Sequence, residues 1–151
     1  MTAFALDSST VLTWVLQEHR WQSVEKMLHA TGAEPLLPGP VLAEIINRAR
    51  AKGNASAAAQ IAAALKGQGM VVIHPEDADL IRCAELLELS AAHPGQAATV
   101  AGAAGAGSTL SLADGLILAI VERLDVPVVT RDRYWSDFAD EGHTRARVVT
   151  F

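Results

Sequence analysis

Short apolar runs that stop at an acid or a turn residue alternate along this chain with stretches of helical periodicity, and that alternation admits few folds. Phe4-Ala5-Leu6, Leu36-Leu37, Val71-Val72-Ile73, Val126 to Val129 and Val148-Val149 read as strands. Between them the pattern predicts helices from Ser8 to about Gln17, Trp21 to Ala30, Pro40 to Lys52-Gly53, Ser56 to Leu65, Pro75 to about Leu89 and Ser111 to Leu124. Ser8-Ser9-Thr10 supply good N-cap residues, and Pro40 suits a first helical position, where its missing N–H costs nothing. Strands separated by helices predict an α/β domain with a mostly parallel central sheet flanked by helices.

At 151 residues a single domain able to bury its own core is expected. A chain that is 50% hydrophobic and 19% charged is too apolar to stay disordered. The single cysteine, Cys83, excludes a disulfide framework and any zinc site built on several thiolates, and it fits a reducing compartment. The N-terminal apolar run lacks a preceding basic region and is cut short by Asp7. Charges interrupt the longer apolar stretches well before the roughly 20 residues that a bilayer requires. A soluble, cytoplasmic protein is expected. Residues His93 to Ser108 are rich in Gly and Ala, uncharged and aperiodic, and read as a flexible insertion within the domain. This segment is no phosphate-binding loop, because no strand precedes its glycines and no Lys-Ser/Thr follows them.

The formal net charge of −5 argues against a protein that coats nucleic acid through bulk positive charge, although a local basic patch remains open. Where the 17 acids sit therefore matters. Thirteen lie among polar neighbours or at element ends, where a solvated position is the expectation. Asp7, Glu44, Asp114 and Asp132 stand apart, each beside or within an apolar stretch. Each has a structural reading of its own. Asp7 and Asp132 suit N-caps, Glu44 has Arg48 one turn later, and Asp114 completes a capping box with Ser111.

Their common placement is harder to explain that way. Asp7 and Asp132 follow apolar strands, at the carboxyl edge of a parallel sheet where α/β folds build their sites. Glu44 and Asp114 fall in the first or second turn of helices that begin at the same edge. Acids gathered there would repel one another unless a hard divalent cation joined them. Oxygen ligands without a nearby His or Cys suit Mg²⁺ or Mn²⁺ rather than Zn²⁺. The histidines (His19, His29, His74, His93 and His143) show no metal-ligand spacing.

Leu6-Asp7-Ser8-Ser9, Leu42-Ala43-Glu44-Ile45, Leu110-Ser111-Leu112-Ala113-Asp114 and Val129-Thr130-Arg131-Asp132-Arg133-Tyr134-Trp135 resemble, in order and spacing, the motifs of the PIN-domain ribonucleases, and among them the VapC-type toxins of prokaryotic toxin–antitoxin pairs. The resemblance runs from the first strand to Val149. It implies a three-layer PIN-like fold and a Mg²⁺-dependent endoribonuclease with Asp7, Glu44, Asp114 and Asp132 around the metal. In that scheme Asp7, Asp114 and Asp132 hold the ion directly or through water, and Glu44 orients or deprotonates the attacking water. Products with a 5′-phosphate and a 3′-hydroxyl, a homodimer, and a small antitoxin that lays a basic segment into the acidic site are implied as well.

Two features depart from the family pattern: Gly115 stands where a basic residue often follows the third acid, and the 93–108 segment is longer than usual. Ser9 and Thr130 offer hydroxyls near the site, and Arg48, Arg50, Lys52, Arg131 and Arg133 are candidate phosphate contacts or neutralising charges. Trp135 suits a place beneath the site, and Trp14 and Trp21 suit the core or a partner. Two other readings compete. One is a catalytically inactive PIN-like binding module. The other is a phosphoaspartate receiver, which would need paired acids at the first strand and a lysine on a later one, whereas Lys26, Lys52 and Lys66 fall in predicted helices.

Overall fold

A computed structural model describes residues 2–96 and 107–151 of the chain. Five strands form one sheet: β1 (Thr2–Leu6), β2 (Ala33–Pro38), β3 (Val71–Ile73), β4 (Pro127–Thr130) and β5 (Arg147–Thr150). Their order is β3-β2-β1-β4-β5, and among the described residues every pairing is parallel, as the alternation of strands and helices predicts. The helices described are α1 (Ser8–Val15), α2 (Trp21–Leu28), α3 (Gly39–Ala51), α4 (Ala58–Gly67), α5 (Asp77–Ala92), α6 (Leu112–Leu124) and α7 (Arg133–Asp140).

The chain builds outward from β1 to β2 and β3, then crosses back to place β4 on the other side of β1. Crossovers between parallel strands are almost always right-handed, so this reversal of direction sends the later connections to the opposite face. A three-layer arrangement results. The reversal also leaves β1 and β4 side by side with connections diverging above and below, and their carboxyl ends open a crevice at that point.

Local chemistry accounts for the strands. Ala5, Leu6, Leu37 and Val128 are fully buried, as expected for strands covered on both faces, while the edge strands β3 and β5 leave Val71 and Val149 exposed. The strand at Leu36-Leu37 extends in both directions to include Pro35 and Pro38, residues that usually bar a central strand. Pairing with β3 begins only at Leu36, so on that side Pro35 lies where the strand is still an edge. Leu6, Leu37, Ile45, Ile117, Leu118, Trp135 and Phe138 form the centre of the core.

The insertion expected at 93–108 falls mostly on residues 97–106, outside the described residues. Its flanks are held: Gly95 N–H donates to the Ser108 carbonyl at 2.7 Å, and Tyr134 Oη donates to the His93 carbonyl at 2.9 Å.

The expectation that all the remaining acids are solvated fails at two positions. Asp79 is buried and accepts from Arg123 Nε at 3.0 Å, with Arg123 Nη2 at 2.9 Å. The Glu122 side chain is 1% exposed and gathers Arg82 Nε at 2.8 Å, Thr144 Oγ1 at 2.6 Å and the Arg145 N–H at 3.0 Å. Both were unreadable from neighbouring residues because their partners lie 44 and 40 positions away, on the facing helix. Together they clamp α5 to α6 and to the segment before β5. Toward the other end of α6, Gly115 lets the helices approach closely: a Cβ there would fall 2.8 Å from Cys83 Sγ. A basic side chain after Asp114 has no room in this packing.

Burial pushes the Glu122 carboxyl up, but hydrogen bonds from Arg82, Thr144 and the Arg145 amide outweigh it and hold the group below its usual 4.5. Its contribution to stability is therefore complete above that value and is lost as pH falls through the lower folded value. Glu122→Gln should cost about 3 kcal/mol in urea unfolding at pH 7, the scale for breaking a buried ion pair with one partner partly solvated. The gap between variant and parent should narrow progressively as the unfolding is repeated below pH 4.5.

Candidate active site

Asp7 follows β1 and caps α1, as its position after an apolar strand predicted. Its main-chain N–H donates to the Val129 carbonyl at 3.0 Å, tying the end of β1 to β4. The carboxylate is buried and accepts from Ser8 N–H at 2.7 Å, Ser9 Oγ at 2.7 Å and Thr130 Oγ1 at 2.8 Å. Thr130, fully buried at the end of β4, also accepts from Asp132 N–H at 3.0 Å. One hydroxyl thus positions two of the four predicted acids. Ser9 Oγ accepts in turn from the Arg131 N–H at 3.1 Å, which adds a second link across the crevice.

Asp132 caps α7 by accepting from Tyr134 N–H at 2.9 Å, and its side is open to solvent. Asp114 sits in the first turn of α6 in the capping box anticipated from Ser111: Ser111 N–H donates to Asp114 Oδ2 at 2.8 Å and Asp114 N–H donates to Ser111 Oγ at 3.1 Å. The capping role is real and coexists with a second one. Burial raises the Asp114 carboxyl above its usual 3.8 against the Ser111 hydrogen bonds, and the charges of Asp7 and Asp132 raise it further. Burial likewise lifts Asp7, opposed by its three hydrogen bonds, with the charge of Glu44 adding to the rise. At the carboxyl edge, then, Asp7 feels the charge of Glu44, and Asp114 feels those of Asp7 and Asp132.

Glu44 is half-buried in the second turn of α3, beside its predicted partner Arg48, whose Nη2 lies 3.4 Å away. Asp7, Asp114 and Asp132 have no basic side chain within ion-pair distance among the described residues. Nor are three His, Cys, Asp or Glu side chains, among those residues, gathered tightly enough to enclose a metal as they stand. The donor set nevertheless suits a hard divalent cation: carboxylate oxygens only, mutually repelling, and without a compensating protein charge.

The basic residues divide. Arg48, Lys52 and Arg131 line one cleft together with Ser9 and Asp132. Arg50 lines a different depression with Asn47 and Asn54. Arg133 is exposed and belongs to neither. Trp135, in the first turn of α7 after Asp132, is fully buried, with its indole N–H unpartnered among the described residues. Trp14 and Trp21, both half-buried, border a groove of about 420 Å³ with Ile45, Ile61 and Leu65, and Trp14 also packs against the core.

Thr130→Val should strand the Asp132 N–H and remove one donor from Asp7, destabilising the protein by about 1–3 kcal/mol. The Asp7 carboxyl should then titrate at still higher pH, which carboxyl-carbon NMR reads directly. Thr130→Ser should restore both values.

The model of the PIN domain family matches residues 4–141. No curated protein matches the chain. Solved structures do. A toxin–antitoxin complex from Klebsiella pneumoniae aligns with a TM-score of 0.63 at 18% identity, covering 99% of this chain and 97% of that one. VapC20 of Mycobacterium tuberculosis, described as a toxin that cleaves the sarcin–ricin loop, aligns at 0.64 and 15% identity over 95% and 98%. VapBC2 from Rickettsia felis, bound to a fragment of its promoter DNA, aligns at 0.62 and 14% identity over 99% and 98%. At these identities the structures establish the fold, and the family model covers most of the chain: it belongs to the PIN domain family.

Proposed function

We propose that the protein is a VapC-type toxin, a Mg²⁺-dependent endoribonuclease that hydrolyses RNA phosphodiester bonds and is neutralised by a cognate antitoxin. The observation that carries this reading is the set of three carboxylates, Asp7, Asp114 and Asp132, which repel one another at the β1/β4 crevice with no basic side chain to balance them. Family membership sets aside the phosphoaspartate receiver, and the presence of all four acids favours an active enzyme over an inert binding module.

In this scheme Asp7, Asp114 and Asp132 hold the ion and Glu44 stands at its margin. When bound there, Mg²⁺ would neutralise charge building on the phosphate and lower the pKa of a coordinated water, easing removal of its proton by a general base. The chain's own residues do the rest. Ser8, Ser9 and Thr130 keep Asp7 oriented by hydrogen bonds to its charged form. Glu44 orients the attacking water and takes its proton, with Arg48 close enough to stabilise the carboxylate before the transfer. Attack of that water on phosphorus with cleavage of the P–O3′ bond, the departing 3′-oxygen taking up a proton, would leave a 5′-phosphate and a 3′-hydroxyl, the products the family resemblance implies.

The antitoxin is proposed as a protein whose basic segment enters the acidic crevice and supplies the missing positive charge. Its apolar part suits the groove that Trp14 and Trp21 border. A homodimer and a cytoplasmic location complete the proposal; no helix among the described residues is long and apolar enough to cross a membrane.

Purified protein should cleave structured RNA with millimolar Mg²⁺, stop on addition of EDTA, and lose activity by at least about 100-fold in Asp114→Asn. Undiminished cleavage by that variant would refute the assignment. A stability readout separates lost chemistry from lost folding. The raised Asp114 carboxyl means that its ionisation weakens the metal-free fold as pH rises past the usual carboxylate range. Asp114→Asn should therefore melt no lower than the parent in EDTA. With Mg²⁺ at about 100 times its Kd the parent should gain about 5–10 °C, and the variant should gain little.

A further inference from the structure

Asp114 and Asp132 stand at the starts of different helices, and among the described residues no hydrogen bond joins the turn of one to the turn of the other. Their separation is therefore set by whatever holds the two helix starts. The ion pairs of Asp79 and Glu122 grip α6 at Glu122 and Arg123, next to its last residue, Leu124. At the Asp114 end the chain enters α6 through Leu110 and Ser111, and the Leu110 N–H donates to Ser90 Oγ at 2.8 Å. Ser90 lies in the last turn of α5 and is 1% exposed.

Ser90 Oγ is 2.8 Å from Tyr134 Oη, and Tyr134 Oη donates to the His93 carbonyl at 2.9 Å. A hydroxyl has one proton to give. Tyr134 directs its own to His93, so the Ser90 proton points to Tyr134, and Ser90 accepts from Leu110. The result is one directed chain, from the Leu110 N–H through Ser90 and Tyr134 to the His93 carbonyl. Hydrogen bonds aligned in this way polarise one another, and away from water each is costly to leave unmade.

The chain reaches the other helix as well. Tyr134 is in the first turn of α7, and its main-chain N–H donates to Asp132 Oδ1 at 2.9 Å. Its ring packs on Phe138, with centroids 5.7 Å apart, and on Gly95, where a Cβ would fall 2.9 Å from the ring. On the other side Ser111, directly after Leu110, exchanges two hydrogen bonds with Asp114. Ser90 on α5 thus connects the turn that carries Asp114 to the turn that carries Asp132.

We propose that Ser90 and Tyr134 are positioning residues for the cation site: their paired hydroxyls fix the separation of Asp114 from Asp132. Neither side chain touches the ion or the substrate, and each acts through the turn beside it. This assignment rests on the cation-site reading above and extends it to groups buried behind the crevice. A purely structural role, closing the stem of the 93–108 segment, would lower stability and leave metal affinity unchanged.

Metal affinity therefore separates the two. Tyr134→Phe and Ser90→Ala each delete one oxygen and keep the rest of the side chain. Mn²⁺ binding is followed by the paramagnetic resonance of the free ion, with no RNA present, and urea unfolding in EDTA gives the stability of each variant. Both should bind Mn²⁺ about tenfold more weakly than the parent, the lower end of the effect of losing a residue that orients metal ligands. The double variant should lose no more than the larger single effect, because both substitutions break one chain. Glu122→Gln, destabilised at the opposite end of α6, should keep the parent's affinity. In EDTA, amide exchange at Leu110 should quicken about three- to tenfold in Tyr134→Phe, although the partner of that amide is Ser90. In cleavage, the loss at low Mg²⁺ should be recovered as Mg²⁺ is raised, with KM for RNA unchanged.

Parent-like Mn²⁺ affinity in both variants would overturn the positioning role. An equal loss in Glu122→Gln would overturn it too, since the effect would then follow stability alone. If Asp114→Asn abolishes Mn²⁺ binding in either case, the cation site itself stands. A parent that binds no Mn²⁺ overturns both.

Discussion

Asp7 is a carboxylate removed from water at the end of a central strand, with three hydrogen bonds and no counter-charge. Isolated burial of such a group costs several kcal/mol, and hydrogen bonds alone do not return its carboxyl to the usual range. The rest of the site follows from that imbalance. Thr130 and Ser9 serve Asp7 first and only then reach Asp132 and Arg131, so the two strand ends are joined through the charged residue itself. Asp114 and Glu44 add negative charge from the helices instead of relieving it. A fold that concentrates like charge in this way is stable against its own repulsion only by virtue of the packing around it.

The packing is supplied by acids of the opposite kind. Asp79 and Glu122 are as deeply placed as Asp7, yet each is matched by arginine, and Glu122 stays ionised below the usual range. They fix the C-terminal end of α6 against α5, and the bare Gly115 nearer its N-terminus lets the two helices close up next to Asp114. Buried acids in this protein therefore sort by partner. Asp79 and Glu122, with a guanidinium, hold helices together, and Asp7 and Asp114, without one, face the β1/β4 crevice.

That sorting marks what can be read from residues alone. The strands, the α/β class and the convergence of Asp7 and Asp132 follow from local patterns: an apolar run, then an acid, then a helix. Asp114 was legible because Ser111 and the core residues Ile117 and Leu118 share its helix. Glu122 was not, because its partners come from α5 and from the segment before β5, and no local pattern encodes that meeting. The same reason split the basic residues. Arg48 and Arg50 are two positions apart and therefore diverge on a helix, whereas Arg131, distant in sequence, joins Arg48 and Lys52 because β4 ends beside α1. Pro35 concealed most of β2, since only the late start of β3 permits it there.

The central claim is that the unmatched carboxylates form one divalent-cation site at the β1/β4 crevice. Paramagnetic Mn²⁺ titrated into isotopically labelled protein reads the location of that site directly, because amide signals broaden steeply with proximity to the ion. Broadening should begin at Ser8, Ala113 to Gly115 and Asp132 to Arg133, should be displaced by excess Mg²⁺, and should spare Asp79 and Glu122. Broadening that begins elsewhere, or spreads evenly over the exposed acids, would contradict it.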